Sequence, residues 1–141
     1  MDKFFTLLEE ISSLIGVPLH PDSKRACRLN IDHHLRIQFQ DESDKDRIVV
    51  AAFIGEIPPG KFRERALKET LKENNLFPRL GTFGYSEKNN QLILFAYVYY
   101  PGLKARGFVD FLKSLIEKSL FWKKGLETGA LPERGIEIKK R

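Results

Sequence analysis

Seven apolar residues stand in a row at Ile48-Val49-Val50-Ala51-Ala52-Phe53-Ile54, and this run constrains the fold more than any other stretch. A strand with one wet face alternates apolar and polar residues, so an unbroken run predicts a strand covered on both faces, at the centre of a sheet. Gly55-Glu56-Ile57-Pro58-Pro59-Gly60 then turns the chain into a helical pattern from Lys61 to Glu73, where eight of thirteen residues are charged. Phe62, Ala66, Leu67, Thr70 and Leu71 fall on roughly one half of that helix. Glu64–Lys68 and Arg65–Glu69 sit at (i, i+4) and support it by a few tenths of a kcal/mol each. Asn74-Asn75 closes it, since asparagine tolerates a left-handed cap, and Pro78 lies just beyond.

The rest of the chain falls into elements on either side. Residues 2–15 carry Phe4, Leu7, Leu8, Ile11, Leu14 and Ile15 at helical spacing, with Phe5 beside the stripe, Asp2 as N-cap and Gly16 as stop. Cys27, Leu29 and Ile31 alternate with polar residues, as do Leu35, Ile37 and Phe39 after a turn near Asp32-His33-His34, which predicts a hairpin. Asp41 to Arg47 reads as a charged loop. Gly81-Thr82-Phe83-Gly84-Tyr85 starts a further strand, and Lys88-Asn89-Asn90-Gln91 turns it into Leu92–Tyr100, aliphatic on one face and largely aromatic on the other. A last helix, from about Lys104 to Lys124, carries Phe108, Phe111, Leu112, Leu115, Ile116 and Trp122, with Gly125 as its stop.

The resulting order, α-β-β-β-α-β-β-α, defines an α+β domain with a twisted, mostly antiparallel five-stranded sheet. At 141 residues the chain has room for one such domain, over 1–131, followed by a basic, flexible tail at 132–141. Its net charge of +5 sits entirely in the last third: residues 1–103 hold 14 basic and 14 acidic side chains, residues 104–141 hold 10 and 5. That segment, ending Lys139-Lys140-Arg141, would attract an acidic partner, a phosphate backbone or a membrane surface, or simply present a solvated helix face and a frayed tail. No stretch is long and apolar enough for a membrane span, the N-terminus lacks the pattern of a signal peptide, and the single Cys27 suits a reducing cytoplasm.

Little in the sequence speaks for catalysis. His20, His33 and His34 have no partners at zinc-like spacing, so no metal is expected. Cys27 reads as a small core residue rather than one half of a Cys–His nucleophile. The glycines mark turns and helix ends, not a phosphate cradle, and no cofactor is expected. The rival to a protein-binding function is nucleic-acid binding, with Phe95, Tyr97 and Tyr99 stacking bases beside the basic final third. The Lys/Arg-Gly-aromatic motif of an RRM is absent, which makes that reading the alternative rather than the conclusion.

The terminal helices supply enough apolar surface for one face of the sheet, yet two strands stay apolar on the other. Each large apolar side chain left in water forgoes about 1.5–3 kcal/mol, so such a face marks an interface. The expected arrangement puts helices 1 and 3 on one face, with the middle helix covering part of the other or pairing with its copy in a dimer.

With these elements in this order, the chain resembles the class I type III secretion chaperones (the CesT/SycE-like group) over about residues 3–131. The resemblance rests on Phe4–Ile15 followed by Gly16-Val17-Pro18-Leu19, on the paired strands after Asp22, and on the apolar strand closed by Ile54-Gly55-Glu56-Ile57-Pro58. It continues through the helix ended by Asn74-Asn75, Gly81-Thr82-Phe83-Gly84-Tyr85 with Asn90-Gln91-Leu92-Ile93-Leu94, and the last helix with Trp122.

What the resemblance implies is a cytoplasmic dimer that binds a non-globular N-terminal segment of a secreted effector, translocator or gatekeeper protein and keeps it competent for export, without using nucleotide. The client would lie extended, adding strands to the sheet and placing side chains in grooves. Carried over, the dimer contact involves Phe62, Ala66, Leu67, Leu71, Phe83 and Tyr85, and the client grooves are lined by Phe4, Phe5, Leu8, Leu35, Ile37 and Phe39. A homodimer is expected, and a heterodimer with a related chain fits the same pattern. The basic charge departs from the acidic character common in that group.

Overall fold

The apolar run lies in the middle strand of five. The computed structural model describes residues 2–76 and 80–131, so the readings of Pro78 and of the tail 132–141 fall outside it. Three helices, α1 (Lys3–Ile15), α2 (Lys61–Asn74) and α3 (Ala105–Thr128), accompany five strands: β1 (Ala26–Ile31), β2 (Leu35–Glu42), β3 (Arg47–Glu56), β4 (Thr82–Ser86) and β5 (Gln91–Tyr99). The strands form one antiparallel sheet in the order β1-β2-β3-β5-β4, the α+β architecture expected.

Burial along β3 alternates, which the unbroken apolar run concealed. Ile48, Val50, Ala52 and Ile54 are closed to solvent, whereas Val49, Ala51 and Phe53 are only half-buried. The buried set continues across the sheet as Leu35, Ile37 and Phe39 on β2, Leu92 and Leu94 on β5 and Phe83 on β4. α1 and α3 pack on that face and on each other, and the Phe39 and Phe108 rings meet edge to face at 5.4 Å. Between Phe53 and Gly55 the pairing with β5 slips at a bulge, with Gly55 at φ 152°. The Ile54 carbonyl beside it accepts from Lys123 Nζ of α3 at 3.0 Å.

Local signals set most of the ends. Asp2 caps α1, accepting from the Phe4 N–H at 3.0 Å, and Gly16 closes that helix in the left-handed region at φ 72°. The first hairpin turns at Asp32-His33, both at positive φ (48° and 60°), with the His34 N–H donating to the Ile31 carbonyl at 2.8 Å.

Three boundaries differ from the sequence reading. α3 runs through Gly125 to Thr128 and ends at Gly129 (φ 78°), because Trp122 and Leu126 continue the buried stripe past the glycine. Their burial outweighs the ~1 kcal/mol that glycine costs inside a helix. β2 extends through Asp41 and Glu42, residues read as loop, and a 3-10 turn at Ser43–Lys45 follows. At the end of α2, Asn75 has φ −89° and is not left-handed; Asn74 instead turns its carboxamide onto β4. On α2, Glu69 is held by Lys72 at 3.1 Å, and Arg65 donates to the Gly129 carbonyl at 3.4 Å.

Candidate interaction surfaces

The start of α1 is tied to the sheet by one arginine. Arg25 donates through its two terminal nitrogens to both Asp2 carboxylate oxygens at 2.9 and 2.8 Å, and through Nε to Asp41 Oδ2 at 2.6 Å. Its guanidinium also lies 5.6 Å from the Phe4 ring centre and 5.1 Å from that of Phe5. Asp41 additionally accepts from Ser43 Oγ and from the buried Tyr100 hydroxyl, both at 2.6 Å.

Burial of Asp41 pushes its carboxyl up, but the Ser43, Tyr100 and Arg25 hydrogen bonds outweigh this and hold it below the ordinary value. Burial, with Asp41 beside it, pushes the Tyr100 hydroxyl far up. The Arg25 hydrogen bonds carry Asp2 down from 3.8 to about 2, against the opposing effect of desolvation. A depressed folded-state pKa contributes stability above the unfolded value that is lost as pH falls through the folded one. The tie between α1 and β1 is therefore expected to weaken from about pH 4 to pH 2. Thermal melts over that range should show a steeper acid decline for the wild type than for Arg25→Ala. Equal slopes would remove Asp2 from the account.

Three surfaces are shaped for contact. The first is the outer edge of β1. Asp22 accepts from the Ala26 N–H through its carboxylate (2.9 Å) and donates to the Ala26 carbonyl through its own N–H (2.8 Å), so Ala26 points both backbone groups away from β2. Alternation then turns the N–H and C=O of Arg28 and Asn30 outward as well. Beside this edge lies an apolar groove of about 320 Å³ between the end of α1, β1 and α3, walled by Ile15, Val17, Leu29, Ile31, Leu112 and Ile116. A second groove, about 570 Å³, separates α1 from the loop at 18–21; Phe5, Leu8, Ser12 and Leu19 line it.

The second surface is the sheet face away from α1 and α3. Val49, Ala51 and Phe53 of β3 meet Tyr97, Phe95 and Ile93 of β5 across the pair, and Tyr99 follows at the end. Two arginines lie on these rings, Arg36 at 4.2 Å from Phe53 and Arg47 at 3.9 Å from Tyr97. Ring faces on which a base would stack are thus partly occupied.

The third surface is α2. Ala66, Thr70 and Glu73 are buried, and the Glu73 carboxylate lies 3.4 Å from Lys118 Nζ of α3 with both side chains nearly closed to solvent. Lys118 also donates to the Leu80 carbonyl at 3.2 Å and lies over the Phe83 ring.

The residues singled out from sequence are distributed unevenly over these surfaces. Phe5 is 46% exposed and Leu8 forms a groove floor, whereas Phe4, Leu35, Ile37 and Phe39 are fully buried in the core. Of the six placed at a subunit contact, Ala66 and Phe83 are buried, the latter with its ring 4.7 Å from Trp122. Phe62, Leu67 and Tyr85 are partly buried against the core, and Leu71 is 65% exposed. The groove residues Ile15, Val17, Leu112 and Ile116 were missed. Their signal was Val17, an apolar residue one step beyond a helix stop, which has no place in the α1 stripe.

Cys27 is buried and its thiol is pushed up by burial, which suits a packing role. Among the described residues no group of three or more His, Cys, Asp or Glu side chains is placed to hold a metal, and no helix is long and apolar enough to cross a membrane.

The fold is thus an open five-stranded sheet with α1 and α3 on one face and α2 beside β4, and among the described residues the β1 edge lies open beside an apolar groove. The model of the Tir chaperone protein (CesT) family matches residues 6–123, and the chain belongs to that family. No curated protein sequence matches it. Among solved structures, the ExsC-ExsE complex contains a chain similar at TM-score 0.70 and 22% identity, over 89% of this chain and 97% of that one. The HopA1-SchA chaperone-effector complex matches at TM-score 0.72 and 18% identity, over 86% and 94%. The Yersinia pestis type III secretion chaperone SycH, bound to a fragment of YscM2, matches at 0.63 and 16%, over 83% and 97%.

Proposed function

We propose that this chain is a cytoplasmic type III secretion chaperone, a dimer that binds the non-globular N-terminal segment of a secreted effector, translocator or gatekeeper protein and keeps it export-competent without nucleotide hydrolysis. The observation that carries this reading is the open edge of β1, with outward backbone groups at Arg28 and Asn30 directly beside an apolar groove, on a fold of the CesT family. An extended segment lying there gains backbone hydrogen bonds from the edge and apolar burial from the groove. The second groove, at Phe5 and Leu8, extends the same surface along α1.

The dimer contact is assigned to α2, where Leu71 projects from a helix whose opposite side is locked to α3 by Glu73 and Lys118. The solved relatives are consistent with partner binding on this fold: HopA1-SchA is a chaperone-effector complex, and SycH was solved with a fragment of YscM2.

The test is capture in the native cell. The tagged chain is expected to retain a secreted protein, and truncation of that protein's N-terminal segment to abolish retention. A chain that stays monomeric by light scattering and retains no secreted protein would overturn the proposal.

A further inference from the structure

An open sheet has two edges, and this chain treats them differently. At β4 the Asn74 carboxamide stands in for a neighbouring strand: Nδ2 donates to the Phe83 carbonyl at 3.1 Å, and Oδ1 accepts from the Phe83 N–H at 2.8 Å. Alternation leaves Tyr85 as the one other β4 residue with outward backbone groups, which is too short a run to seat a strand. At β1, Asp22 fills the outward groups of Ala26 in the same manner, but Arg28 and Asn30 beyond it present four outward groups in succession.

The two sides of this open stretch differ in chemistry. Leu29 and Ile31 belong to the groove walled by α1 and α3. Arg28 and Asn30 lie on the opposite face and are exposed, as is Arg36, which pairs across from Asn30. Other charges nearby are Asp22, whose carboxylate already accepts from the Lys24 and Ala26 N–H groups, and Asp32 and Lys113 at the groove rim. An added strand alternates as β1 does, so every second residue enters the apolar groove and those between them lie beside Arg28, while Arg36, one strand further in, lies over Phe53 of β3.

We infer that the β1 edge takes an extended segment in which apolar residues alternate with acidic ones, and that Asn74 keeps such a segment off β4. The inference rests on the reading of the chain as a chaperone for an extended client, and it adds the edge, the register and the charge of the segment. Strand pairing supplies the same backbone bonds for any sequence, so Arg28 and the groove are what select. Without Asn74, β4 would offer Phe83 and Tyr85 as a second open run.

The probes are two labelled peptides of about eight residues, longer than an ordinary strand. One alternates valine with glutamate and the other valine with lysine. Each is titrated against the full chain by fluorescence anisotropy at about 0.1 M salt, where charges within roughly 10 Å still interact. The glutamate peptide is expected to bind at least about tenfold more tightly, a difference of ~1.4 kcal/mol. Arg28→Glu should reverse the order, and N-methylation of the peptide backbone on its pairing side should abolish binding.

Asn74→Ala is expected to raise the stoichiometry from one peptide per chain to two. Asn74→Asp, which keeps an acceptor for the Phe83 N–H, serves if the alanine variant does not fold. Equal binding of the two peptides, or a glutamate preference that survives Arg28→Glu, overturns the assignment of β1. Unchanged stoichiometry in a folded Asn74 variant overturns the role of Asn74. If neither peptide binds while the chain still captures a secreted protein's N-terminal segment, this inference falls and the chaperone reading stands. If nothing is captured, both fall.

Discussion

Replacing Asp41 with alanine is expected to cost about 3 kcal/mol, which for a chain of this size lowers the melting midpoint by roughly 10 °C. The loss exceeds that of an ordinary hydrogen bond because the carboxylate is the common acceptor for three donors: Arg25 Nε, Ser43 Oγ and the Tyr100 hydroxyl. Its side chain is 1% exposed, so water does not replace it. The substitution strands a buried tyrosine hydroxyl and leaves Arg25 with Asp2 alone. Tyr100→Phe removes one donor and should cost about 1–2 kcal/mol. Differential scanning calorimetry at neutral pH separates the two; an Asp41→Ala midpoint within about 1 °C of wild type would show that the network contributes nothing net.

Leu71→Asp is expected to weaken the dimer about a hundredfold, or ~2.7 kcal/mol, while leaving the fold of each subunit within about 0.5 kcal/mol of wild type. Leu71 is 65% exposed, so a charge there costs the isolated subunit little. In a subunit contact the same charge would be buried without a partner. Leu67 makes the poorer test, because it packs against the core and Leu67→Asp would damage the subunit as well as the seam. Sedimentation across a dilution series reads the dissociation constant, and circular dichroism reads the fold. An unchanged constant would move the contact away from α2.

The parts of this fold that the sequence made legible are those governed by neighbours in the chain. The α1 stripe with its Asp2 and Gly16 caps, the hairpin at Asp32-His33 and the placing of Ile48–Ile54 at mid-sheet all follow from local period and turn chemistry. What escaped depends on contacts between distant segments. Asp41 looked like one more charge in an acidic loop, since nothing nearby reveals that Arg25 and Tyr100 converge on it. Gly125 looked like a helix stop because the burial of Leu126 is tertiary. Asn74 looked like a cap, and its engagement with Phe83 is a matter of where β4 lies.

The surfaces were harder still, because an apolar residue at helical or strand spacing carries the same signal whether it ends in the core or in a groove. Phe4 and Phe5 are adjacent, yet one is fully buried and the other 46% exposed. On α2 the half-apolar face divides in the same way: Ala66 goes to the core and Leu71 to solvent.

α3 has 24 residues and spans about 36 Å, and its two halves serve different neighbours. Val109, Leu112 and Ile116 wall the groove beside β1, while Lys118, two residues further on, grips Glu73 of α2. A packed helix moves as a rod, so any occupant of the groove that shifts α3 also shifts the platform on which α2 stands. If the subunits associate through α2 as proposed, occupancy and association would be linked equilibria, with the linkage running equally in both directions. Whatever factor a client adds to the association constant, association adds to the affinity for client.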